Sequence, residues 1–176
     1  GNAFYQCTSL EYISVAGGNT RYDSRNNCNA LIETASNTLI LGSKNTVIPN
    51  TVTNIGDGAF ENRLVLTSIT IPASVNSIAY NAFYGCTGLE SISVAGGNTR
   101  YDSRNNCNAI IETATNTLIQ GCKNTVIPNT VTTIGNWAFN GCSTLTSIDI
   151  PASVTSIDGN AFYQCTSLEY ISVAGG

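Results

Sequence analysis

Ile127, Ile150 and Val173 follow one another at steps of 23 residues, and so do Ile48, Ile71 and Val94. No other feature constrains the chain as strongly. A unit this short buries its apolar face only against copies of itself, so the turns must stack into a solenoid with no single central core. Asn2, Asn81 and Asn160 open matching segments, giving a 79-residue super-repeat at 2–80 and 81–159 and a partial third copy at 160–176. The full copies are about three-quarters identical, and each resolves into two turns of 23 residues and one of 33. One solenoid domain is expected over 1–176. Residues 1–18 and 159–176 carry the same string, and neither end has an atypical capping unit. The chain is therefore read as a piece of a longer repeat protein.

Each short turn carries its own pattern. In Leu145–Ile150 alternation points Ile148 and Ile150 inward and Ser147 and Asp149 outward, the period of a half-buried strand. Pro151 ends it, and Val154 and Ile157 suggest a second short strand. Gly159-Asn160 breaks the run, and Ala161–Cys165 is expected to return the chain through a short helical or 3₁₀ segment. The series Phe4, Phe60, Phe83, Phe139 and Phe162 gives every short turn one Phe and predicts an aromatic spine.

The long turn lacks the Phe. Asn108–Glu112 and Thr117–Gln120 flank Thr113–Asn116 and predict a β-hairpin with a four-residue loop, projecting from or covering the side of the Phe segments. If Glu112 faces Thr117, Cys107 faces Cys122, and a disulfide between them is conceivable in an oxidising setting. The first copy has Cys28 and Ser43 there, so buried thiols are the alternative. Arg63 replaces the Cys that other short turns carry, with Leu64 and Val65 following. It is expected to swing outward or meet a carboxylate.

Composition removes several functions. Seven basic and eleven acidic residues give a net charge of −4, with no basic cluster, so nucleic acid is not an expected partner. No apolar run reaches the ~18 residues a membrane span needs. Without His there is no Ser-His-Asp or Cys-His chemistry. No cofactor or metal is expected, because the seven Cys lack paired ligand spacing. A polysaccharide-acting enzyme using carboxylates, Asp102 with Glu112 or Asp23 with Glu33, is the catalytic alternative. Duplication of these acids argues against it, because a catalytic site is ordinarily built once.

The outward strand positions form the candidate binding face: Tyr12 and Ser14, Ser68 and Thr70, Ser91 and Ser93, Ser147 and Asp149, Tyr170 and Ser172. Asn45 with Val47 and Asn124 with Val126 complete it in the long turns. Such a flat, hydroxyl-rich surface could sum many weak contacts with a protein or a glycan.

The pattern I/V-P-x-S/T-V-T-x-I-G-x-x-A-F-x-x-C-x-x-L-x-x-I, close in Ile127–Ile148 and Ile150–Ile171 and good in Ile71–Ile92, resembles the BspA-type leucine-rich repeats. The hairpin turn is similar to the longer unit that alternates with short ones in members from gut Bacteroidales. The resemblance implies a β-rich leucine-rich-repeat solenoid with short helical or 3₁₀ segments. It also implies a bacterial cell-surface or secreted protein that adheres to host matrix proteins, such as fibronectin and fibrinogen, or to other bacteria. The resulting expectation is a non-catalytic binding module, with a ligand-free structural spacer as alternative and self-association through uncapped ends as a further mode.

Overall fold

The computed structural model describes Phe4 and residues 7–174. Two types of sheet organise the fold, each occurring twice. The first holds the four-residue strands of the short turns: β5 (Ser68–Ile71) with β7 (Ser91–Val94), and β12 (Ser147–Ile150) with β14 (Tyr170–Val173). Registers are spaced by one short turn, with Ile69 opposite Ile92 and Ile148 opposite Ile171. In β5 and β12 the alternation is realised, Ile inside and Ser, Thr or Asp outside.

The second type contains the hairpins. β2 (Ala30–Glu33) and β3 (Thr38–Gly42) pair antiparallel; β3 then runs parallel to β4 (Asn54–Ile55), and β4 to β6 (Ser77–Ile78). β1 (Tyr22–Asp23) closes the other edge against β2. The second copy repeats this with β8 (Tyr101–Asp102), β9 (Ile110–Glu112), β10 (Thr117–Gln120), β11 (Thr133–Ile134) and β13 (Ser156–Ile157). The hairpin therefore does not project. Its second strand takes the place of the short second strand of an ordinary turn, because its N–H and C=O groups find partners only within that sheet.

The Ala-Phe segments are consecutive tight turns, not helices. Residues with left-handed φ flank them: Gly58 (63°) and Asn62 (55°) around Phe60, Trp137 (64°) and Gly141 (73°) around Phe139. A right-handed helical run cannot pass through such positions. The freed N–H groups bond to the next turn, Phe60 N to Ala82 O at 2.7 Å and Phe139 N to Ala161 O at 2.7 Å. The short segments Arg25–Asn27 and Arg104–Asn106, in the lead-ins to the hairpins, are likewise single tight turns, with Asn26 (59°) and Asn105 (60°) left-handed inside them.

The Phe spine is two stacked pairs, not one continuous row. Phe60 lies on Phe83 (5.2 Å between centroids) and Phe139 on Phe162 (5.0 Å). Phe4 is 45% exposed. Where the long turn passes this layer it offers Gly42 or Gly121, whose N–H bonds to Ala59 O or Ala138 O. A Cβ there would come within 2.1 Å of the Phe60 ring or 2.2 Å of the Phe139 ring. Glycine thus leaves the room into which the next turn's Phe fits. The core divides at the second hairpin, with Ile110 joining the cluster of Phe60 and Phe83 and Ile111 that of Phe139.

The expected facing of Cys107 and Cys122 changes for one reason. Glu112 does face Thr117, but the register shifts between Leu118 and Gln120, so that Gln120 pairs with Ile110. This one-residue bulge takes Cys122 away from Cys107, and both are free, buried thiols. Cys122 Sγ donates to Asn108 O (3.3 Å), as Ser43 Oγ does to Asn29 O (3.2 Å) in the first copy. The position requires a short donor, which explains why Ser replaces Cys there.

Arg63 neither swings outward nor finds a carboxylate. It is 1% exposed, with Nε donating to Gly42 O (2.8 Å) and Nη1 to Cys7 O (2.8 Å). Backbone carbonyls supply the acceptors, and burial pulls its pKa below the ordinary arginine value. Cys142 Sγ contacts the equivalent carbonyl, Gly121 O, at 3.8 Å. The Arg therefore occupies the thiol's slot and reaches one turn further.

Candidate binding grooves

The strand face pairs its outward residues as alternation requires. Ser68 is opposite Ser91 and Thr70 opposite Ser93, with 2.9 Å between the latter two hydroxyls. Ser147 is opposite Tyr170 and Asp149 opposite Ser172, whose hydroxyl donates to the Asp149 carboxylate. Tyr12 and Ser14 are exposed on a segment that is not in a strand ladder.

The face is not flat. The long-turn segments Thr46–Ile48 and Thr125–Ile127 do not join the ladder. Val47 N bonds instead to Cys28 O and Val126 N to Cys107 O, while Thr46 and Thr125 hydroxyls donate to Asn29 O and Asn108 O at 2.7 Å. Each segment thus hangs from its own turn and leaves a groove beside the following strand. One groove, of about 560 Å³, gathers Ser147, Asp149 and Ser172 against Val126 and Ile127, with Lys123 at its rim. The other, of about 280 Å³, lies 79 residues earlier and gathers Ser68 and Thr70 against Val47 and Ile48. Ser91, Ser93, Tyr12, Ser14 and Tyr170 line neither groove. Lys44 pairs with Glu11 and Lys123 with Glu90 beside the long-turn segments.

The candidate acids are engaged structurally. Asp102 accepts from Arg104 Nε (2.8 Å) and Nη2 (2.7 Å), and Arg104 Nη1 continues to Asn116 and Thr130. Asp23 and Arg25 repeat the arrangement with Asn37 and Thr51. These braces tie the lead-in to the hairpin loop and the next turn. The Arg25 hydrogen bonds hold the Asp23 carboxyl below the usual carboxylate range, so it stays ionised and carries no proton for general-acid chemistry near neutral pH. Glu112 pairs with Arg100 at 3.0 Å and Glu33 with Arg21 at 3.5 Å.

Burial also quiets the thiols. It pushes Cys86 up to about 12 and Cys165 up to about 11, and raises Cys28, Cys107, Cys122 and Cys142. A thiol held protonated is neither nucleophile nor ready metal ligand.

A further groove, of about 420 Å³, runs over the outside of the Phe turns and was not anticipated from the sequence. Its aromatic wall is Tyr84, Trp137 and Tyr163; Trp137 meets Tyr163 edge-on at 5.5 Å. Asp57, Glu61, Asn81 and Asn140 supply its polar groups. Trp137 occupies the left-handed position that Gly58 fills in the first copy. Holding a bulky L-residue there costs ~1–2 kcal/mol. The signal available in the sequence was the substitution itself: three of the positions where the copies differ, Asp57/Asn136, Gly58/Trp137 and Glu61/Asn140, cluster at this groove.

The model of the family described as BspA type leucine rich repeat region matches residues 41–120 and 117–175, in six copies. Among solved structures, a leucine-rich cell surface protein from Faecalibacterium prausnitzii is 31% identical, with a TM-score of 0.61 over 99% of this chain and 45% of its own. A leucine-rich repeat protein from Eubacterium ventriosum is 26% identical, with a TM-score of 0.53 over 71% of this chain and 40% of its own. A pneumococcal vaccine antigen, at 21% identity and a TM-score of 0.55, shares the fold. The chain spans less than half the length of these relatives. A search of curated proteins returns no match.

Proposed function

We propose that this chain, which belongs to the BspA-type leucine-rich-repeat family, is a non-catalytic binding module of a bacterial cell-surface or secreted protein. Its ligand is a protein or glycan surface that lies along the strand face. The observation that carries this reading is the recurrence of one groove at the same place in both super-repeats, beside Ser68 and Thr70 and beside Ser147 and Asp149. An extended ligand with a matching repeat engages both grooves at once, and its second contact forms at high effective concentration. The surface location is supported by the description of the Faecalibacterium relative as a cell surface protein.

One observation favours a structural spacer instead. Thr70 with Ser93, and Ser172 with Asp149, satisfy their hydrogen bonds among themselves, so part of the face has no need of a ligand. The test is binding of the chain, at physiological salt, to immobilised matrix proteins, mucins and polysaccharides, beside a variant with Ser68, Thr70, Ser147 and Asp149 changed to Lys, which alters both grooves. Saturable binding that the variant loses supports a strand-face binder. Binding retained by the variant refutes the strand face, and absence of any binding favours the spacer.

A further inference from the structure

We propose that the groove over the Phe turns is a second binding site, independent of the strand face, and that it takes an uncharged glycan chain. Trp137 is the chain's single Trp, and the fold keeps it where its other copy uses Gly. Bulky residues in left-handed backbone are rare, and strain of this kind clusters at binding sites. The ring forms a wall with its neighbours. Tyr163 meets it edge-on, and Tyr84 is anchored by its hydroxyl to Gln164 Oε1 at 3.1 Å, so two aromatic side chains on the groove wall are held in place by contacts.

The polar groups point the same way. Asn140 is 6% exposed and lines the groove, and its Oδ1 accepts no hydrogen bond within the protein. An orphaned buried acceptor is costly unless a partner arrives. Asp57, Glu61 and Asn81 add carboxylate and amide groups nearby. A sugar ring offers a C–H face that packs on aromatic rings and a rim of hydroxyls that both donate and accept, which matches this combination of planes, amides and acids.

The same lining disfavours other ligands. None of the groove residues is basic, so phosphate, sulfate or uronate groups meet two carboxylates and no cation. A peptide adding as a strand needs free backbone groups, and those beneath the groove are already bonded turn to turn, Asn62 N to Tyr84 O (2.8 Å) and Gly141 N to Tyr163 O (2.9 Å). The site spans turns of both copies, and three of its positions are ones where the copies differ.

The single Trp makes the test direct. The chain is titrated with xylohexaose, cellohexaose, mannohexaose, laminarihexaose and maltohexaose, following Trp137 emission and, in parallel, calorimetric heat. Polygalacturonate and a proline-rich peptide serve as comparators. The expected result is a saturable emission change with at least one neutral oligosaccharide and none with polygalacturonate. Affinity for that sugar should fall at least tenfold, by calorimetry, in Trp137→Gly, Tyr163→Ala and Asn140→Glu, and stay unchanged in Ser147→Lys on the strand face. Trp137→Gly and Asn140→Glu install the first copy's own residues, and circular dichroism checks that all variants fold. The proposal is overturned if no neutral oligosaccharide binds, if only the peptide does, or if sugar binding survives in folded Trp137→Gly and Tyr163→Ala. Loss of sugar binding in Ser147→Lys alone would assign it to the strand face and equally overturn the second site.

Discussion

Replacing Gly121 by Ala adds one methyl group where the Phe139 ring already lies. The new Cβ would stand 2.2 Å from Cε1, 2.6 Å from Cζ and 2.8 Å from Cδ1. Carbon atoms pack at ~3.5–4.0 Å, so more than an ångström must be found. Phe139 cannot supply it easily, because it is fully buried and stacked on Phe162 at 5.0 Å. Gly121 cannot retreat without losing its 2.8 Å bond to Ala138 O. Overpacking of this kind costs ~1–3 kcal/mol, and the size of the overlap puts Gly121→Ala near the upper end. For a chain of this length that lowers the melting temperature by roughly 6–12 °C. The double variant Gly121→Ala/Phe139→Leu has space for the methyl and should be less destabilised than the sum of the single changes, with a coupling of ~1–2 kcal/mol. Urea unfolding followed by circular dichroism measures all four species. The reasoning fails if Gly121→Ala lies within ~0.5 kcal/mol of the parent, or if the two changes simply add.

Three further outcomes follow from the same contacts. Arg63→Lys keeps the buried charge but cannot reproduce the fork to Gly42 O and Cys7 O; we expect a loss of about 1.5–3 kcal/mol in urea unfolding. The Asp23 carboxyl is lowered by Arg25, so the stability it contributes is present above its unfolded pKa, ~3.9, and is lost as pH falls through the lower folded value. Asp23→Asn should therefore flatten the acid limb of the stability profile below about pH 4 and leave the limb near pH 9 unaltered. In denaturant without reductant all seven thiols should react with a thiol reagent, whereas five would restore the Cys107–Cys122 bridge.

The solenoid was legible because its signals are local and repeated. A 23-residue step fixes which residues stack, and alternation in Ser147–Ile150 fixes which face inward. The hairpin was legible up to Leu118, where the bulge begins, because periodicity cannot reveal one inserted residue until partners are seen. The turns around Phe60 and Phe139 looked helical because only Gly58 and Gly141 hinted at left-handed backbone, while Trp137, Asn62 and Asn160 share it without announcing it. Arg63 was misplaced because its partners are carbonyls of other turns, which side-chain identities do not encode. The two strand-face grooves were hidden for a related reason. They arise where Thr46–Ile48 and Thr125–Ile127 fail to join the ladder, although their sequences alternate like those that do.

The central claim is that the recurring strand-face groove binds, and that two copies bind together. Dissociation rates from the best immobilised matrix protein, mucin or polysaccharide test it, measured for the parent, Ser68→Lys, Ser147→Lys and the double variant. If the two grooves act as linked contacts, either single change should convert bivalent into monovalent binding, weakening it by about 10²-fold or more, and the double change should abolish it. Unchanged dissociation in the double variant would contradict the account and leave the strand face a structural surface.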